Sequence, residues 1–149
     1  MKLLSHVTAE FLIIDDDPVV TKFLATYLKQ EGHTCNALTD AFQTAAWLEH
    51  NRCEVVIVDL NMPKVDGISL ISFIREINQT LPIIVFTGLG YDENRMRAAL
   101  RAGANGYVSK SLPIDQLYCV LSRVLASCQN RARQETWRPH PPYVLAGAA

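Results

Sequence analysis

Short, wholly apolar runs alternate along this chain with longer stretches in which apolar residues recur every third or fourth position. The first pair is a strand around Glu10–Ile14, then apolar positions at Val19, Val20, Phe23, Leu24, Tyr27 and Leu28. That paired spacing predicts a helix with one buried stripe. Asp17 and Pro18 read as its cap and first residue, and Glu31-Gly32 as its stop. A second strand fits His33–Leu38, followed by a helix over 40–50, and the central strand is Glu54–Val58. Gly67 opens a third helix, with Ile68, Ile71, Ile74 and Ile77 expected inward. Pro82 begins a fourth strand. The next helix, Tyr91–Ala102, is apolar only at Met96, Ala99 and Leu100, so loose attachment is expected. Gly106–Ser109 is the last strand, and Pro113 starts a final helix carrying Leu117, Val120, Leu121, Val124 and Leu125.

Strands alternating with helices, several of the strands wholly apolar, imply a parallel sheet covered on both faces. Such sheets bind ligands beyond the carboxyl ends of their strands, near a switch in winding direction. Four of the runs end there in polar groups. Phe11-Leu12-Ile13-Ile14 ends in Asp15-Asp16-Asp17, Val55-Val56-Ile57-Val58 in Asp59, Ile83-Ile84-Val85-Phe86 in Thr87, and Gly106-Tyr107-Val108-Ser109 in Lys110. If these strands are neighbours, carboxylates, a hydroxyl and an ammonium share one edge.

The 149 residues suit one domain, read as spanning 8–128 between an N-terminal extension (1–7) and a disordered tail or linker (129–149). A net charge of −1 gives no global attraction to nucleic acid, which is not expected as a partner. No segment has the ~20 apolar residues of a membrane span, and the start lacks a signal-peptide pattern, so a cytoplasmic location is expected. Cys35, Cys53, Cys119 and Cys128 form no Cys-x-x-Cys pair and no zinc spacing with the histidines, and read as reduced thiols. Arg95, Arg97, Arg101 and Arg123 read either as a basic face or as plain solvated surface, and Trp47 as packing.

Carboxylates ~4 Å apart repel by about 4 kcal/mol per pair at an effective dielectric of 20, so acids gathered on one edge need a cation or a proton. Hard oxygen donors in a partly open site favour Mg²⁺. An aspartate beside such a site can attack phosphorus and form an acyl phosphate, with an ammonium and a hydroxyl spreading the developing charge. Lys110 and Thr87 supply those two groups, and Gly88 leaves room for the incoming one. Singly, each residue has a plainer reading: Asp17 as a helix cap outside the metal set, Asp59 as a turn residue, Lys110 as a solvated charge. Their joint occurrence at successive strand ends carries the functional one.

Together the segments Phe11-Leu12-Ile13-Ile14-Asp15-Asp16-Asp17-Pro18, Val58-Asp59-Leu60-Asn61-Met62-Pro63 with Asp66-Gly67, Phe86-Thr87-Gly88 and Gly103-Ala104-Asn105-Gly106-Tyr107-Val108-Ser109-Lys110 resemble the receiver domain of two-component response regulators, in the layout of the chemotaxis regulators. The resemblance implies a flavodoxin-like, doubly wound, five-stranded parallel sheet of order 2-1-3-4-5 with helices on both faces. It implies that Asp59 is the phosphoacceptor, and that Asp15 (through water), Asp16, Asp59 and the main-chain carbonyl of Asn61 hold Mg²⁺. Lys110 would bond the phosphoryl oxygens, while Thr87 and Tyr107 would reorient on phosphorylation. The donor would be a histidine kinase, a phosphotransfer protein or a small phosphodonor. A downstream protein would bind the face made by the fourth helix, last strand and fifth helix, and a dimer is compatible with the sequence. The protein would then be a signalling switch, catalysing only its own phosphorylation and dephosphorylation.

Two alternatives stand beside this. An atypical receiver would bind its partner without phosphorylation. An aspartyl-phosphate phosphatase of the haloacid dehalogenase type would need a general acid two residues after Asp59, where Asn61 stands. One departure from the receiver pattern is Ser111, where the family usually has proline joined to the lysine by a cis peptide. A non-proline cis bond costs ~3 kcal/mol, so this loop either bears that cost or runs trans and places Lys110 differently.

Overall fold

The computed structural model describes residues 9–88 and 92–136. The expected N-terminal extension, Tyr91 and the chain beyond Thr136 lie outside the described residues. In order, the elements are β1 (Glu10–Ile14), α1 (Pro18–Gln30), β2 (Thr34–Leu38), a 3₁₀ turn (Ala41–Gln43) leading into α2 (Thr44–His50), β3 (Val55–Val58), α3 (Gly67–Ile77), β4 (Ile83–Thr87), α4 (Glu93–Ala102), β5 (Gly106–Ser109) and α5 (Ile114–Thr136). The strands form one sheet in the order β2-β1-β3-β4-β5, every neighbouring pair parallel. The winding direction therefore reverses between β1 and β3, the arrangement that the resemblance implies.

Alternate strand residues feed two cores, which is why the central strands are apolar throughout. Leu12, Ile14, Val56, Val58, Ile83 and Val85 meet Leu70, Ile71 and Ile74 of α3 and Ala99 of α4. On the other face, Phe11, Ile13, Val55, Ile57, Ile84 and Phe86 meet Leu24 and Leu28 of α1 and Leu117, Leu121 and Leu125 of α5. Trp47 is partly buried against the first core, in keeping with a packing role.

Helix faces differ from the expected stripes in three places. In α1, Leu24 and Leu28 are buried, but Val19 and Phe23 are 74% and 55% exposed. One residue of offset turns a side chain about 100° around the helix, enough to move it from the core to solvent. In α3, Ile71 and Ile74 are buried with Leu70, whereas Ile68 is half-buried and Ile77 is exposed. A row spaced by three drifts about 60° per step, so only its middle members can face the sheet. In α4, Ala99 is buried while Leu100 is exposed, leaving that helix the weak hold the sequence suggests. The backbone of α5 also stays helical to Thr136, past Asn130 where the apolar pattern stops.

Two glycines are required by their surroundings. At Gly67 a Cβ would collide with the backbone of Asp59 and Leu60, so the start of α3 lies directly against the turn that follows β3. Gly103, at φ +120°, ends α4 in the left-handed region, and a Cβ there would meet the Arg75 side chain at 2.7 Å.

Candidate functional site: an acid cluster and a lysine at the switch point

Register brings the acids together. Ile14 stands opposite Val58, so Asp15 and Asp59 leave β1 and β3 side by side. Their amides continue the ladder, Asp59 N donating to Ile14 O at 3.0 Å and Asp15 N to Leu38 O at 3.1 Å. Thr87 pairs with Ser109 at the ends of β4 and β5, and Lys110 N donates to Thr87 O at 2.8 Å. Lys110 thus emerges one residue beyond the hydroxyl-bearing end of β4.

One carboxylate oxygen from each of Asp15, Asp16 and Asp59 lies within 4.8 Å of the others. Asp15 and Asp59 are buried and Asp16 is exposed, giving the cluster one open side. Lys110 Nζ donates to Asp15 Oδ2 at 2.7 Å and stands 3.5 Å from Asp59 Oδ2. The other oxygens of Asp15 and Asp59 have main-chain donors: Asp17 N reaches Asp15 Oδ1 at 2.9 Å, and Asn61 N reaches Asp59 Oδ1 at 3.3 Å. Asp17 itself accepts from Val19 N at 2.9 Å, the cap role expected of it.

Burial pushes the Asp15 carboxyl above the usual aspartate range, outweighing the Lys110 hydrogen bond and the Asp17 amide, and the Asp59 charge adds to the rise. For Lys110 burial works against the charged form, yet the hydrogen bond to Asp15 and the charges of Asp59 and Asp15 prevail and raise its pKa. Three acids facing one ammonium leave two negative charges uncompensated. Hard oxygen donors with that surplus fit a divalent cation such as Mg²⁺.

The peptide bond after Lys110 is trans, and the ammonium still reaches the acids. Of the two courses open to the Ser111 loop, the chain takes the unstrained one without losing the lysine. Gly88 flanks the same side chain: a Cβ there would stand 3.7 Å from Lys110 Cδ, in ordinary contact. Thr87 is fully buried at the end of β4. Tyr107 lies mid-strand opposite Val85, half-buried against the core beneath α3 and α4. Burial raises its phenol pKa, while the Arg95 charge opposes that rise.

Several contributors to this region escape a reading by motif. Beside the acids a cleft of about 210 Å³ is lined by Asp16, Asp40, Phe42, Met62 and Lys64 among others. Phe42 is 68% exposed there, and an aromatic on a polar turn gave no periodic signal. Arg95 reaches across from α4 to Asp66, the cap of α3, at 3.9 Å, and Arg97 pairs with Glu93 at 2.6 Å. Two of the four arginines considered as a basic face therefore have acidic partners. Cys35, Cys53 and Cys119 form no disulfide, and burial raises the Cys35 and Cys53 thiols to about 11 and about 12, far from thiolate formation. Among the described residues no helix is long and apolar enough to cross a membrane.

A doubly wound parallel sheet with acids and a lysine at its switch point defines a flavodoxin-like domain of the receiver class. The chain belongs to the response regulator receiver domain family, which its residues 11–122 match. It is 36% identical over 110 residues to an uncharacterised 14.6 kDa protein of Leptolyngbya boryana, covering 72% of this chain and 82% of that one. It is 32% identical over 123 residues to the sensor histidine kinase RcsC of Salmonella typhimurium, covering 83% of this chain but 12% of the kinase. A crystal structure of a response regulator from Chloroflexus aurantiacus superposes with a TM-score of 0.74 at 28% identity, over 80% of this chain and 99% of that one. Receivers of this family are signalling switches of two-component systems.

Proposed function

We propose that this receiver accepts a phosphoryl group on Asp59 from a histidine kinase, a phosphotransfer protein or a small phosphodonor. The observation that carries the reading is the convergence of Asp15, Asp16, Asp59 and Lys110 within a few ångströms at the reversal of winding. Asp15, Asp16, Asp59 and the main-chain carbonyl of Asn61 would hold Mg²⁺, which when bound neutralises phosphoryl oxygens.

The chain's own groups account for the remaining needs. Asp59 Oδ1 is tethered by the Asn61 amide and Oδ2 faces Lys110, so the carboxylate is oriented before any donor arrives. An Asp59 oxygen forms the bond to phosphorus as the bond to the donor nitrogen or oxygen breaks, and the leaving group takes the electron pair. Lys110 then stabilises charge on the transferred oxygens, with Thr87 as hydroxyl donor. The same groups serve hydrolysis of the acyl phosphate by water.

Thr87 and Tyr107 would carry the change to the face of α4, β5 and α5. The slight burial of α4 favours this, because an element held by few core contacts shifts at small cost. A downstream protein that prefers the shifted face draws the population toward it.

Intact-mass analysis after treatment with acetyl phosphate and Mg²⁺ tests the reading. Wild type is expected to gain one phosphoryl mass, and Asp59→Asn or omission of Mg²⁺ to abolish the gain. Absence of a gain in wild type would favour a receiver that binds its partner without phosphorylation.

A further inference from the structure

Lys110 meets the acids from the end of a long, flexible side chain, so its position depends on the direction in which the backbone leaves β5. Where a proline ring would lock the next φ near −65°, this chain has Ser111 and a trans peptide. Another restraint takes its place. Leu112 N donates to Ser109 O at 3.2 Å, closing a turn with Lys110 and Ser111 at its centre. Over that turn folds the Ser109 side chain. Its Oγ accepts from Ser111 N at 3.2 Å and shares a 2.7 Å hydrogen bond with Ser111 Oγ. One hydroxyl thus ties both the amide and the side chain of the residue after Lys110 back onto the strand before it.

We propose that Ser109 is a positioning residue for Lys110, its hydroxyl holding the turn that aims the ammonium at Asp15 and Asp59. The inference rests on the reading of Lys110 as the phosphoryl-binding cation. Ser109 touches neither acid and takes no part in bond making. It narrows the set of turn conformations, so that the 2.7 Å contact of Lys110 with Asp15 is kept rather than sampled.

Two readouts on Ser109→Ala test this. In the metal-free protein, acylation of Lys110 by acetic anhydride, followed by peptide mass spectrometry, should quicken because the amine leaves its partner more often. With Mg²⁺ and acetyl phosphate, phosphoryl uptake should slow by about fivefold, the equivalent of about 1 kcal/mol for a lost hydrogen bond. Ser109→Thr, which keeps the hydroxyl, should restore both. In a Ser111→Pro background, where the amide donor and the second hydroxyl are gone, Ser109→Ala should change neither.

Equal labelling and uptake in wild type and Ser109→Ala would overturn the proposal, as would a full effect of Ser109→Ala persisting beside Ser111→Pro. Failure of wild type to take up phosphoryl, with Lys110 labelling still dependent on Ser109, would instead defeat the functional reading and leave the positioning role standing.

Discussion

Lys110 Nζ lies 2.7 Å from Asp15 Oδ2 across a separation of 95 residues along the chain. The ammonium answers one of three clustered carboxylates, and its raised pKa keeps it charged throughout the physiological range. Replacing it by methionine keeps much of the bulk and removes the charge. In Lys110→Met the metal-free protein should lose about 2 kcal/mol, the scale of a hydrogen bond to a charged group. Saturating Mg²⁺ should narrow the gap, because a cation among the acids offsets the lost charge. Urea denaturation with and without Mg²⁺ reads this directly; an equal deficit under both conditions would show that the lysine's contribution is packing alone.

Gly67 and Gly88 make opposite predictions for the same substitution. A Cβ at Gly67 would strike the main chain of Asp59 and Leu60, which cannot rotate away. Gly67→Ala should cost about 3 kcal/mol, at the upper end of overpacking, and should slow phosphoryl uptake by shifting Asp59. A Cβ at Gly88 would meet Lys110 Cδ at an ordinary 3.7 Å, so Gly88→Ala should fold with near wild-type stability. Thermal midpoints of the two variants decide the matter.

Arg75 ties the end of α3 to the start of β4 and the end of α4. Its Nε and Nη2 donate to Gly103 O at 3.0 and 2.7 Å, Nη2 also reaches Asn105 Oδ1 at 2.9 Å, and Nη1 serves Leu81 O and Asn78 O. Arg75→Ala should destabilise by about 3 kcal/mol, since several acceptors lose a charged donor at once. Lysine should recover little, because a point charge cannot reproduce a planar fork. Gly103→Ala should also destabilise, and adding it to Arg75→Ala should cost less than the sum, since removing the arginine clears the space its Cβ needs. Equilibrium unfolding of the four proteins gives the coupling.

His33 is buried, with Ala9 N donating to its Nδ1 at 3.1 Å and the rings of Phe11 and Tyr118 around it. Burial lowers its pKa below 6.5, opposed by the Glu31 charge. As pH falls below 6.5, the unfolded chain protonates this histidine while the folded one resists, so the unfolded state binds more protons. The His33 contribution is therefore complete above that pH and declines as pH drops toward the folded value. Stability measured between pH 7.5 and 5 should fall more steeply in wild type than in His33→Gln; parallel slopes would refute the assignment.

The alternation of elements, the cap at Asp17, the break at Gly32 and the polar ends of four strands were all legible along the chain. Each depends on neighbours within a turn of helix or a few residues of strand. Side-chain facing was less so. Val19 and Phe23 share their helix with Leu24 and Leu28, and hydrophobicity alone cannot say which adjacent stripe meets the sheet. The role of Arg75 left no mark in the sequence, because Gly103 and Asn105, which accept from it, lie on segments brought to it only by folding.

Residue order thus dictated the kinds of groups that end each strand, since capping and burial periodicity are local properties. It did not dictate that Lys110 would choose Asp15, that its peptide would stay trans, or that Ser109 would brace the turn. Those outcomes follow from strand register and from how helices seat on the sheet, where many weak contacts between distant segments are satisfied together.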